Sequence, residues 1–419
     1  MKTRKLYVIL FFGIIIFVMI FAVSAITKKT AKRGYDRFYG WKLLYPFEDE
    51  EPENADTASQ ESSLIEAIEY FKGKISSLTT DELPYYHNFV ETARRYEEFI
   101  NWNMAPALEY NPVIKRDDDY LLGLTKSMDI LDSVKSTVEL ADFCAKKGVT
   151  FFYVGIPTKT CKYEDADLSG ILDFSNQNGD RFLRGLEENH VKYYDLRKIL
   201  HNEGMNHHEL FFRTDHHWKP EAGLWAAEHI LEFLRDDYGW NVKPELLNPE
   251  NFDSVIYTEW FLGSQGKKLT LAKTKPDNIT LFYPKFKTLF NYDVPDLNVN
   301  RTGSFDVFYF MEQIEPKDYY NSDPYHAYMH SDYSLARIRN ELSDNDKNIL
   351  IIRDSFGKVL TPFLALGVNN IHEMDLRQFN GSLRTYINSE KIDAVIITYG
   401  LWGIGFTVFK PHQELYDFR

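Results

Sequence analysis

Asp215, His217 and Ser355 are the residues of this chain whose types and spacing could do chemistry together. The first two fall in Thr214-Asp215-His216-His217-Trp218; the serine lies in Ile351-Ile352-Arg353-Asp354-Ser355-Phe356. A serine hydroxyl is a weak nucleophile at its own pKa, so an imidazole must take its proton as it attacks. That imidazole needs an acceptor on its other nitrogen to fix the tautomer and stabilise the cation. Triads of this kind are recognised by role, in any chain order. The residues therefore predict a serine hydrolase or acyltransferase with Ser355 as nucleophile, His217 as base and Asp215 as the acid that orients it. Positions i and i+2 of an extended segment share a side. That arrangement turns His216 away, into the structure, and lets Trp218 pack against the working ring. Asp354 is expected to cap the helix after the serine or to orient that turn.

The elements that must position these groups alternate. A helix from Asp132 to Lys147 leads into Val149–Ile156, an apolar, aromatic and β-branched run suited to a central strand and ended by Pro157. A helix near Asp180–Asn189 precedes a short strand, Val191–Asp195. Pro220 opens a helix with apolar positions at Leu224, Ala227, Leu231 and Leu234. After a long irregular region come strands at Asn348–Arg353, Asn370–Met374 and Ala394–Thr398, with helices at Lys358–Leu366 and Ser382–Ser389. This rhythm predicts an α/β fold, a parallel sheet covered on both faces. In such sheets ligands bind beyond the carboxyl ends of the strands. Ser355 sits there at a helix start, where the dipole and free N–H groups suit a developing oxyanion.

Composition narrows the function. The net charge of −14 over 419 residues argues against nucleic acid as a partner, since phosphate contacts need a basic footprint. Aromatics make up 16% of the chain and crowd between Phe252 and Tyr333, a signature shared by sugar-binding surfaces and ordinary cores. Cys144 and Cys161 are the two cysteines, and their pairing is not set by sequence. Lys2, Arg4 and Lys5 precede an apolar run from Tyr7 to Ile26, long enough to cross a bilayer. A cleavable signal peptide with Val23-Ser24-Ala25 at its end is the rival; the length of the run favours an uncleaved anchor. Lys28, Lys29, Lys32 and Arg33 follow it and blunt the orientation rule. The expected organisation is a cytoplasmic end and transmembrane anchor over 1–33 and an acidic solvated linker over 34–62. A helical accessory region over 63–131 comes next, then a catalytic domain over 132–419 with an aromatic-rich insertion at about 240–345. The catalytic part is expected outside the cell membrane, on a single-pass anchor.

The stretch from Val149 to Ser389 resembles the SGNH-hydrolase-like polysaccharide O-acetyltransferases of the AlgJ and AlgX type. It is closest to the Gram-positive group named for its Asp-His-His-Trp string. In that family Thr-Asp-x-His-Trp supplies acid and base, and a later Asp-Ser-Phe or Asp-Ser-Tyr supplies the nucleophile, which by position means Asp215, His217 and Ser355. Ile156-Pro157-Thr158-Lys159 with Tyr163 looks like the family's Pro-Lys stretch after the first strand. Two features depart from the pattern: Arg353-Asp354-Ser355 stands where the serine block usually begins Gly-Asp-Ser, and Lys219-Pro220 replaces a capping Thr or Ser. The resemblance implies an SGNH-like three-layer α/β domain that transfers acetyl to or from a hydroxyl of a cell-surface or secreted polysaccharide. It implies a membrane-bound O-acyltransferase as the partner that relays the acetyl group. No soluble cofactor is expected, and the chain has no glycine-rich phosphate loop. Candidates for the oxyanion hole or substrate groove are Tyr399, before Gly400, and Gly263 and Ser264 within Trp260–Gly266.

An esterase with the same triad is one alternative. A metal site is another, since His207, His208, His216 and His217 crowd together with Asp215 and Glu209. Their spacing matches no helical His-x-x-x-His pair. A third is a non-catalytic assembly factor that binds glycan through the aromatic insertion.

Overall fold

The computed structural model describes residues 113–116, 118–165, 173–405 and 415–418. The expected anchor and linker, and most of the expected accessory region, lie outside these residues. In chain order the elements are β1 (Val113–Lys115), β2 (Leu121–Gly123), α1 (Leu131–Lys147), β3 (Thr150–Ile156), α2 (Ser175–Glu188), β4 (Tyr193–Asp195) and α3 (Leu196–Asn202). They continue with α4 (Pro220–Asp236), β5 (Phe252–Phe261), α5 (Ser264–Leu269), β6 (Asp277–Pro284), β7 (Phe290–Val294), β8 (Val299–Gly303) and β9 (Leu335–Asn340). The last are β10 (Asn348–Arg353), α6 (Thr361–Leu364), β11 (Asn370–Met374), α7 (Leu383–Ser389) and β12 (Ala394–Gly400).

Eight strands form the main sheet in the order β4-β3-β12-β10-β11-β9-β7-β8. From β4 to β11 the neighbours are parallel. From there β9, β7 and β8 add on antiparallel. The sheet is therefore mixed where a parallel one was expected, and the insertion at 240–345 supplies the difference: three of its strands extend the sheet. Its remaining pair, β5 and β6, forms a separate hairpin. Residues 113–123, placed by sequence in a helical region, form the antiparallel pair β1–β2.

The central strands β3, β10 and β12 are apolar along most of their length because both faces are covered. Alternation splits their side chains between two cores. Phe152, Val154, Ile349, Ile351, Ala394 and Ile396 join α4 on one side. Tyr153, Leu350, Ile352, Val395 and Ile397 meet α1, α2 and α7 on the other. Each fully buried aliphatic side chain contributes about 1.5–3 kcal/mol, so the middle strands are held hard. Cys144 and Cys161 are both buried free thiols. Among the described residues no helix is long and apolar enough to cross a membrane.

The carboxyl ends of three neighbouring strands come level. Ile352 and Arg353 of β10 pair with Ile397 and Thr398 of β12, and Gly400 of β12 pairs with Ile156 of β3. Just beyond this edge lie Ser355 and the Pro157–Lys159 stretch. The long helix expected at Lys358–Leu366 is instead a 3-10 turn, Ser355–Val359, followed by the single turn of α6 with Pro362 in its first positions.

Candidate active site

The string around Asp215 is a closed loop. Phe211 bridges Trp218, the Phe212 N–H donates to the His217 carbonyl at 3.2 Å, and the Lys219 N–H donates to the Leu210 carbonyl at 2.7 Å. Within it the His217 N–H donates to Asp215 Oδ1 at 3.0 Å, so acid and base share an Asx turn rather than an extended segment. The same carboxylate oxygen lies 2.6 Å from His217 Nδ1, and His217 Nε2 lies 2.6 Å from Ser355 Oγ. Acid, base and hydroxyl thus form one hydrogen-bonded line, within the reach a triad requires.

Each member is fixed from behind. Asp215 is buried, and its second oxygen accepts the Ser264 N–H at 2.6 Å. Burial by itself would raise its carboxyl pKa; the facing His216 and His217 and the bonds from His217 outweigh it and hold the group well below the usual carboxylate range. The acid therefore stays ionised and available to an imidazolium. Asp354 caps the turn of Ser355, accepting the Phe356 N–H at 2.9 Å on one oxygen and the Gly400 N–H at 2.8 Å on the other. That second bond ties the Ser355 turn to the end of β12. Ser355 itself is half-buried.

Several residues that sequence left without a role complete the site. Tyr325, in the 3-10 turn Pro324–Ala327, stacks on His217 with ring centres 4.1 Å apart and planes 12° from parallel. Its hydroxyl donates to the Ser355 carbonyl at 3.1 Å. Lys159 is buried and donates to the carbonyls of Arg213 and Asp215, both at 2.8 Å, and to Gln265 Oε1 at 3.1 Å. Burial pushes its ammonium down to about 7, against the pull of Asp277 and Asp215. The Pro-Lys stretch thus staples the acid loop. Asp277, the first residue of β6, takes the Arg213 and Thr214 N–H groups and the Thr214 hydroxyl. Arg353 is fully buried and pairs with Glu373 at 2.7 Å and Asp375 at 2.9 Å. Its side chain also fills the space beside Gly357, where a Cβ would sit 2.6 Å from Arg353 Cβ.

Other sequence-based candidates fall elsewhere. Tyr399 is fully buried in the core under α1 and α2, and its hydroxyl donates to the Leu415 carbonyl at 2.7 Å, away from Ser355. The neighbouring Gly400 N–H is spent on Asp354. Gly263 and Ser264 do reach the site but serve the acid: the Gly263 N–H donates to Thr214 Oγ1 at 2.9 Å. A Cβ on Gly263 would stand 2.2 Å from Asp215 Cβ. His216 does not turn away; its half-exposed ring lies 3.8 Å from that of His217, with Nδ1 3.1 Å from the Ser264 hydroxyl. Trp218 packs on Phe356 and donates to its carbonyl at 3.0 Å, leaving the face of His217 to Tyr325. Ser355 begins one 3-10 turn, so the helix dipole expected behind it is short.

The crowded histidines separate into two places. His207 bonds the Thr158 carbonyl at 2.7 Å, and His208 lies 3.3 Å from Asp165. Asp215, His216 and His217 bring ligand-type atoms within 4.8 Å of one another. Both ring nitrogens of His217 are already directed at Asp215 and Ser355, so a metal there would have to break the line.

The mixed α/β fold is of the SGNH hydrolase-like kind. Residues 123–254, which hold Asp215 and His217, match the family model of the SGNH hydrolase-like domain of the acetyltransferase AlgX, the family that the motifs resemble. Among solved structures the chain is similar to Bacillus cereus PatB1 with a sulfonyl adduct, at 19% identity and a TM-score of 0.60, over 74% of this chain and all of that one. A DHHW family protein from Eubacterium siraeum is similar at 18% identity and a TM-score of 0.56, over 73% of this chain and 95% of that one. At these identities the likeness speaks for the fold. No curated protein matches the chain in sequence.

Proposed function

We propose that this chain is an O-acetyltransferase acting on polysaccharide hydroxyls through Ser355, His217 and Asp215. The observation that carries the reading is the unbroken line from Asp215 Oδ1 through both nitrogens of His217 to Ser355 Oγ, each gap 2.6 Å. The family match to an acetyltransferase domain supports the group transferred. Ser355 attacks the donor ester while His217 takes its proton. The tetrahedral intermediate expels the donor alkoxide, which leaves with that proton, and an acetyl-Ser355 remains. In the second half His217 deprotonates a sugar hydroxyl, which takes the acetyl group and frees the serine. Water in place of the sugar makes the same site an acetylesterase, and the partial exposure of Ser355 favours some hydrolysis when no acceptor is bound.

The apolar run from Tyr7 to Ile26 supports placing this reaction at the outer side of a membrane. There an acetyl group would come from a membrane-bound O-acyltransferase. The experiment is turnover of a chromogenic acetyl ester, with and without an oligosaccharide acceptor, by the full chain. Ser355→Ala and His217→Ala should each lower turnover by about four orders of magnitude or more. Retention of most of the activity by either variant would reject the reading.

A further inference from the structure

We propose that Tyr325 is a positioning residue of this site, its ring face stabilising the His217 imidazolium and its hydroxyl holding the backbone of the nucleophile. The inference rests on the reaction proposed above and adds a group that neither motif contains. The geometry is specific. The Tyr325 ring lies flat on His217 at 4.1 Å, on the face that Trp218 leaves free. It is braced edge-on by Phe212 at 6.2 Å, and its turn is set by the Tyr325 N–H donating to Asp323 Oδ1 at 3.2 Å. Only 1% of the residue is exposed.

When Ser355 attacks, its proton passes to His217 Nε2 and the ring gains a positive charge. A cation over an aromatic face in a desolvated place is attracted by the ring quadrupole, whereas a neutral imidazole gains little. The stack is therefore stronger in the transition state than before it, which is what accelerates a step. Asp215 stabilises the same cation in the ring plane, through Nδ1, so the two groups act along different directions. Meanwhile the hydroxyl bond to the Ser355 carbonyl, 3.1 Å, fixes the main chain from which Oγ projects. Burial first, then the Asp215 and Asp354 charges, keep the phenol protonated far above its ordinary range, so it remains a donor.

The test follows the rate at which phenylmethylsulfonyl fluoride labels Ser355 in the full chain, read by intact mass across pH, beside ester kcat/KM. The other groups that face His217, namely Asp215, His216, Asp354, His326 and Ser355, stay in place throughout. Tyr325→Phe keeps the ring, so the pH midpoint should hold while the rate falls about three- to tenfold. Tyr325→Leu should move the acid midpoint down by about half to one pH unit and lower the rate further. Fluorinated phenylalanines at 325 keep the shape and drain the ring; the midpoint should fall stepwise with each fluorine, which also covers the case of Tyr325→Leu failing to fold. A midpoint indifferent to fluorination, or one shifted equally by Tyr325→Phe, would overturn the proposal. Wild-type protein that takes no label at all would instead reject the catalytic reading beneath it.

Discussion

Asp215 is pinned by more contacts than any one of its tasks needs: the Ser264 N–H, the His217 N–H, the His217 ring and, through its carbonyl, Lys159. Gly263 permits that closeness, since a side chain there would occupy the place of the Asp215 Cβ. Gly263→Ala should therefore displace Asp215, costing about 1–3 kcal/mol as overpacking does and about a hundredfold in kcat/KM, the scale set by an ångström of misplacement. Ester kinetics beside a thermal melt would show it; unchanged kinetics would mean the loop absorbs the methyl. That Asp215, His217 and Ser355 would be brought together was legible at this scale, because two short strings fixed their types and order. Their supports were not. Tyr325 sits in a stretch crowded with tyrosines, and nothing in its neighbours distinguishes one that stacks on His217 from one that fills a core. Tyr399 shows the reverse error: following the last strand, it looked well placed, but strand alternation sends its ring to the opposite core.

At the scale of elements, the loop at 211–218 and the turn at Ser355–Val359 must meet within a fraction of an ångström, and α4 presses them together. Gly223 on α4 makes this possible, because a Cβ there would lie 2.0 Å from the Val359 carbonyl oxygen. Gly223→Ala should force α4 off the Ser355 turn, costing about 1–3 kcal/mol as overpacking does, with activity falling alongside; urea unfolding and kinetics measure both. The α/β alternation was read with nearly correct bounds at β10 and α1, where apolar or amphipathic runs leave little choice, and at the short β11. β7 to β9 escaped notice because they are short, half-polar strands separated by 3-10 turns, as in the alternating Leu335–Asn340. The turn after Ser355 read as a helix because its apolar residues are buried by α4 rather than by a helical face, and Pro362 restarts the chain.

Across the molecule, the carboxyl edge of the sheet rests on buried charge. Arg353 stands where the resemblance leads one to expect glycine, and Glu373 and Asp375 at the end of β11 answer it. Arg353→Ala should cost about 3–5 kcal/mol by leaving the buried Glu373 without a cationic partner and Asp375 with Arg377 alone, a loss that urea unfolding would register. Lys159 gives a second, pH-dependent signature. Its folded pKa, pushed down to about 7, lies below the unfolded value of about 10.4. Between those values the unfolded chain binds a proton that the folded chain does not, so this group makes stability rise with pH by up to about 1.4 kcal/mol per unit. Below pH 7 its contribution is flat. Unfolding midpoints measured from pH 6 to 10 should therefore climb less steeply in Lys159→Met, and parallel curves would refute the assignment.

The proposed chemistry turns on Ser355 as the nucleophile. Mixing the full chain with a chromogenic acetyl ester, quenching in acid and mapping peptides by mass tests it directly. One acetylated site is expected, Ser355, absent from Ser355→Ala and His217→Ala. Acetylation at another residue, or undiminished turnover in Ser355→Ala, would contradict it.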